Sequence, residues 1–359
     1  MNTSKKHRIL AFLLIVQWII IRLISRFPEF IETYYSKGIY PIISRFFRII
    51  FGWIPFSIGD ILYVVLGFYI LKSVVKIIRN RKINFIKILA SISIIYFCFH
   101  FFWGLNYYRQ PLHKTLAISE LKYSTDDLEN FTNQLIDKAN HLQIIITQND
   151  TIKVELPFSK KEIYKKTKNG YAHLSESYPQ FEYKNESIKH SLISLPMAYL
   201  GTSGYLNPFT AEAQVNSLNP SVSYAATSCH EVAHQLGYAA ENEANFIGFL
   251  SAIKNEDVHF QYSGYYMALR YALNDLYGHD KEKHKIAFKK INKGILKNMQ
   301  ESQEFWQAYQ NPIEPYTKKM FDLFLKANKQ PKGIKSYNGM IGMLINYNKQ
   351  DKDALQFLK

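Results

Sequence analysis

The stretch from Ile88 to Tyr108 constrains this chain most, because it carries no formally charged side chain and includes ISIIYFCFHFFWG. Lipid offers no partner to main-chain N–H and C=O groups, so a run this long and apolar crosses a bilayer as a helix that satisfies them internally. Trp103, Tyr107 and Tyr108 close the run in the manner of an aromatic belt at the lipid–water boundary, and His100 within it reads as a packing residue. Two more segments follow the same logic. ILAFLLIVQWIII succeeds the basic leader MNTSKKHR with no small-residue cleavage site before Phe27-Pro28, which predicts an uncleaved span near 9–26 with Arg22 snorkelling. PFSIGDILYVVLGFYILKSVV predicts another near 57–76, with Asp60 at one interface and Lys72 reaching the other. Residues 1–108 are therefore expected to form a membrane region with spans about 9–26, 57–76 and 88–108, and residues 109–359 a separate domain.

Short basic loops set the expected orientation. Lys5, Lys6 and Arg8 precede the first span, and Lys76, Arg79, Arg81, Lys82 and Lys87 lie between the second and third. The positive-inside rule places both groups in the cytoplasm and the long C-terminal region on the extracytoplasmic side of a multi-pass protein. Arg26, Lys37, Arg45 and Arg48, in the first loop, run against that rule. The net charge of +15 brings no nucleic-acid motif with it, and much of the basic charge sits beside apolar segments. The expected partner is the lipid bilayer, not nucleic acid. Two cysteines, Cys98 and Cys229, define no disulfide framework.

Chemistry concentrates in SCHEVAHQLGYAAENEANFIGFL. His230 and His234 are four apart, so a helix turns both imidazoles to one face, and Glu231 sits beside the first. Zinc hydrolysis uses this pattern: two neutral nitrogens hold Zn2+, and a carboxylate takes a proton from water. Gly237 can end this helix. The acidic cluster Glu241-Asn242-Glu243-Ala244-Asn245 then offers the missing third ligand, with Glu241 and Asn245 on one face of a second helix. Asn245 or Glu243 is a candidate to orient a ligating histidine by a hydrogen bond. Downstream, Tyr262, Tyr265, Tyr266 and His259 are candidate donors to an oxyanion.

Around this block the pattern is mainly helical. Ser124-x-x-Asp127 and Ser159-x-x-Glu162 read as capping boxes opening two helices, with Ile152 to Leu156 alternating like a short strand between them. Residues 191–195 and 209–215 are predicted to be extended, and an edge strand beside the histidine helix would hold a peptide by main-chain pairing. Helices are expected near 283–299, 301–309 and 313–328, with a weaker segment at 336–347 containing Gly339 and Gly342.

The blocks PFSIGD, WGLNYYRQP, NPFTAEAQVN and HEVAHQLGYAAENEANFIGFL resemble the DUF3810 family of bacterial membrane proteins. The histidine block is also similar to zincin-type metallopeptidases, including groups in which a Glu-x-x-Ala-Asp or Glu-x-Glu-Ala-Asn block supplies the third ligand. That resemblance implies ligands His230, His234 and Glu241, with Glu243 as the alternative, Glu231 as base and Asn245 in support. Only six residues separate His234 from Glu241, where those groups have a longer excursion. It further implies peptide bonds as substrate and a bacterial inner-membrane location. The expected fold is thus three transmembrane helices followed by a mostly helical zincin-like domain with a small β element. The rival classes are an amide hydrolase acting on cell-envelope material and a non-catalytic metal-stabilised scaffold.

Overall fold

The computed structural model describes residues 3–81, 83–118 and 121–350. The chain begins with α1 (Thr3–Ile24), continues through a π-helical segment (Ile31–Ile39) into α2 (Tyr40–Gly52), and then forms α3 (Ile58–Asn80) and α4 (Phe85–Phe102). Three of these, Lys5–Ile24 within α1, α3 and α4, are long and apolar enough to cross a membrane. Lys82, part of the expected cytoplasmic cluster, lies outside the described residues. The N-terminal membrane helix packs along the third, with Gln17 donating to Ser93 at 3.2 Å, whereas α3 packs along neither. The third membrane helix stops at Phe102, six residues before the predicted end at Tyr108. Gly104–Tyr108 is instead a 3-10 turn, and Trp103 and Tyr108 are buried in the protein, not aligned in a belt.

All three membrane helices join the remaining chain at one end. Lys329 bonds the Ser25 carbonyl just beyond α1, Tyr35 donates to the Phe101 carbonyl of α4 at 2.9 Å, and Asp60 accepts from Leu192 N at 2.7 Å. The loop between the first two spans is therefore folded onto the C-terminal region. Two of its basic residues meet that region, Arg45 donating to Asn185 at 2.9 Å and Arg48 lying over the Tyr183 ring, while Lys37 pairs with Glu32 of the loop itself at 3.4 Å.

Beyond the membrane helices, α5 (Thr125–Thr147) and α6 (Lys160–Ser177) each open with the reciprocal capping box predicted from Ser124/Asp127 and Ser159/Glu162. The segment 152–156 between them is no strand. Asn298 brackets Val154, accepting from its N–H at 3.0 Å and donating to its carbonyl at 2.9 Å, so a side chain replaces the neighbouring strand. A small sheet follows. β1 (Ile188–His190) and β2 (Gly204–Leu206) flank β3 (Ala213–Val215), the first parallel to it and the second antiparallel. Between β1 and β2, the short helix α7 (Ser194–Tyr199) overrides the extended conformation predicted for 191–195. Ser191 Oγ accepts from Ile193 N at 3.1 Å and turns the chain into it, and Pro196 fits its first turn.

Three helices form the centre: α8 (Ser221–Gln235), α9 (Glu241–Ile253) and α10 (Val258–His279). Phe246, Phe249, Phe260 and Tyr265 are fully buried among them, and each such ring contributes about 1.5–3 kcal/mol of transfer free energy. The tail departs from the predicted boundaries. α11 (Lys281–Phe288) and α12 (Lys293–Ala308) divide at 289–292, not near 300, because Asn292 N and its amide bond Asn140 and Gln143 of α5. α13 (Glu314–Ala327) and α14 (Gly339–Gln350) complete the described chain.

Candidate metal centre

One helical turn separates His230 from His234 on α8, which sets their rings 4.7 Å apart and nearly perpendicular. The helix ends at Gln235, and Gly237 at φ +88 supplies the left-handed turn that sends the chain back. The carbonyl of Tyr238, in that turn, accepts from His234 Nδ1 at 2.7 Å. This orients the ring and turns Nε2 inward, toward Glu241. Re-entry into α9 brings Glu241 Oε2 to 3.4 Å from both His230 Nε2 and His234 Nε2. One ligand atom from each of the three lies within 4.8 Å of the others. Metal–nitrogen and metal–oxygen bonds near 2.0–2.1 Å in a tetrahedral site imply ligand separations of about 3.3 Å. The cluster fits a divalent metal ion.

Electrostatics point the same way. Burial works against ionisation of Glu241, yet the two histidines outweigh it and hold the carboxyl well below the usual range. Burial likewise opposes charge on His234, but the Glu241 carboxylate dominates and lifts it to about 9. A carboxylate wedged between imidazoles is a site that favours positive charge. Glu231 differs: burial pushes it up to about 7 despite the neighbouring histidines. Its Oε2, and Nδ1 of His230, have no hydrogen-bond partner. The outer strand β2 runs beside it, so that a Cβ on Gly204 would collide with the Glu231 carboxylate.

The other candidates are placed elsewhere. Glu243 turns from the histidines and accepts from Leu112 N at 2.7 Å, and burial lifts it to about 7. Asn245 bonds neither histidine; it lies beside Tyr271, whose phenol is raised by burial and by the Glu241 charge. Tyr262 and Tyr266 face α12, bonding Asn298 at 3.0 and 3.1 Å, and Tyr265 packs edge-on against Phe249. His259 is engaged with Asp257 at 3.1 Å at the start of α10. The oxyanion expectation is therefore corrected: Tyr262 and Tyr266 seal the seam with α12, Tyr265 packs on α9, His259 is held by Asp257, and Tyr271, farther along the helix, meets Asn245.

Several site neighbours had no warning in the sequence. Trp103 donates through Nε1 to the His234 carbonyl at 3.2 Å, and Tyr107, whose phenol burial and the Glu241 charge push up, packs against Trp103. Tyr40 and Ser44 of α2 donate to the Gln235 carbonyl at 2.8 and 3.1 Å, satisfying the end of α8. Arg109 forks onto Glu32 at 2.8 Å and donates to the Gly237 carbonyl at 2.9 Å. Only Tyr107 and Trp103 stood out beforehand, as belt aromatics.

No curated protein and no solved structure matches the chain. A family model described as a protein of unknown function, DUF3810, matches residues 35–345, which takes in the first loop from Tyr35 onward, two membrane helices and the whole cluster. The chain belongs to the DUF3810 family.

Proposed function

We propose that this protein is a membrane-anchored, zincin-like hydrolase that uses Zn2+ to cleave peptide bonds. The observation that carries the reading is a buried Glu231, placed next to three convergent ligand atoms and against the outer strand β2. A structural zinc is normally closed by four protein ligands, whereas the cluster among the described residues would hold it with three, His230, His234 and Glu241. When bound, the ion supplies Lewis acidity and lowers the pKa of water. Glu231 takes the proton of the attacking water and returns one to the leaving amine. The outer edge of β2 holds an extended peptide by main-chain pairing beside that carboxylate. The catalytic part, residues 109–359 together with the folded first loop, faces the extracytoplasmic side of a bacterial inner membrane in this reading.

The test uses the full chain in detergent. One zinc per chain, lost in Glu241→Ala and retained in Glu243→Ala, together with peptide hydrolysis abolished by Glu231→Gln, is the expected result. A folded parent that takes up no zinc when zinc is supplied would sink the proposal.

A further inference from the structure

The metal cluster is built within a residue or two of the point where the chain leaves the membrane. Trp103, bonded to the His234 carbonyl, directly follows the last residue of α4. At the same helix end, α2 bonds α8 through Tyr40 and Ser44 while its other side is an exposed apolar face. Ile42, Phe46, Ile49 and Trp53 recur there at helical spacing, with Ile42 72% and Trp53 79% exposed. Both ends of this loop lead into membrane helices at the same side of the membrane. A helix tied there with such a face is suited to the lipid–water interface, because water would be the poorer solvent for it.

α13 repeats the arrangement. Ile313, Tyr316, Met320 and Leu323 are exposed along one side, and Phe324 packs against Phe99 of α4 and against Tyr107. Two helices that touch the cluster's surroundings thus each present an exposed apolar side next to the ends of the membrane helices.

The membrane helices add a route. α3 stands apart from the α1–α4 pair, and none of its membrane-length window is buried. Its head is bound to the sheet: Asp60 accepts from Leu192 N and the Tyr205 hydroxyl, and Tyr63 stacks on Tyr205. Tyr205 belongs to β2, the strand that borders Glu231. The face of α3 turned toward the helix pair is thus unpacked, and its head ends on β2.

We infer that the substrate is a peptide anchored in the same leaflet, presented to β2 beside α3, with its cleaved bond a few residues above the lipid surface. This rests on the hydrolase reading. Water supplies oxygen to the carbonyl carbon, the C–N bond breaks, and the products are a carboxylate on one fragment and an amine on the other.

The test places the zinc-loaded full chain in phosphatidylethanolamine–phosphatidylglycerol vesicles. The probe is a quenched-fluorescence library of random ten-residue peptides, made with and without an N-terminal palmitoyl chain. Cleavage at least tenfold faster for the palmitoylated library is expected, with the preference lost and the free-peptide rate kept in the double variant Phe46→Glu, Ile49→Glu. Equal rates, or a preference unchanged in that variant, overturn the inference and leave the hydrolase reading standing. Cleavage of neither library overturns both. Should the double variant not fold, quenching by lipids brominated near the headgroup still decides the seating. The parent-minus-Trp53→Phe fluorescence is expected to be quenched, and no quenching overturns the inference whatever the activity.

Discussion

The indole N–H of Trp103 donates to the main-chain carbonyl of His234 at 3.2 Å, coupling the exit of the third membrane helix to a residue of the metal cluster. The ring also packs edge-on against the His234 imidazole. Trp103→Phe keeps a ring and removes one of the donors to a carbonyl that Gly237 N at 3.0 Å and the Tyr40 hydroxyl at 3.4 Å also serve. We expect a loss of about 1 kcal/mol in stability and zinc affinity lowered about tenfold, as when groups that orient a ligand are removed. Thermal unfolding across a zinc titration reads both. Unchanged zinc dependence would mean that the bond serves packing alone.

Arg109 and Glu32 form a second tie, with paired contacts at 2.8 Å between two buried side chains. The guanidinium also holds the Gly237 carbonyl and lies 4.0 Å over the Tyr238 ring, so the turn between the histidine helix and Glu241 depends on it. Removing one member strands a buried charge. Glu32→Gln or Arg109→Met alone is expected to cost about 3–5 kcal/mol, and the double change markedly less than the sum. Unfolding of the four proteins in one detergent measures the coupling.

These ties explain what the sequence could and could not show. The four-residue spacing of His230 and His234 and the two capping boxes are consequences of helix geometry, so they are legible without tertiary structure. The short return from His234 to Glu241 is legible as a turn at Gly237. Trp103 and Tyr107 are not, because belt aromatics and buried aromatics have the same composition and differ only in what they touch. The apolar face of α2 hides for a similar reason, since its basic residues make it read as a loop. Among the tyrosines of α10 no periodicity separates those facing Asn298 from Tyr271 near Glu241. The partner helix makes that choice.

Away from the cluster, pH acts through Asp257. Burial alone would raise this carboxyl, but His259 and Lys166 outweigh it and hold it at about 2. A depressed folded value stabilises the protein above the unfolded value of about 3.9 and is lost as pH falls through the folded one. The contribution is about 1–2 kcal/mol after discounting for the partly exposed Lys166 end. Asp257→Asn should therefore destabilise by that amount at pH 5 and converge with the parent only below about pH 2. Parallel unfolding curves across this range provide the check.

Gly204 offers the sharpest separation of metal binding from catalysis. It lies on β2, where the nearest atoms a Cβ would meet all belong to the Glu231 side chain. Gly204→Ala must move the strand outward or turn the carboxylate aside, since the strand has a paired neighbour on one side only. Either shift displaces the proton acceptor from water held beside the peptide, and misplacement by about 1 Å costs on the order of a hundredfold in rate. The expected outcome is one zinc per chain, near-parental stability, and hydrolysis reduced about a hundredfold. Equal loss of zinc and activity would instead place β2 in support of the ligands. Full activity would mean that peptide and carboxylate do not meet along this strand.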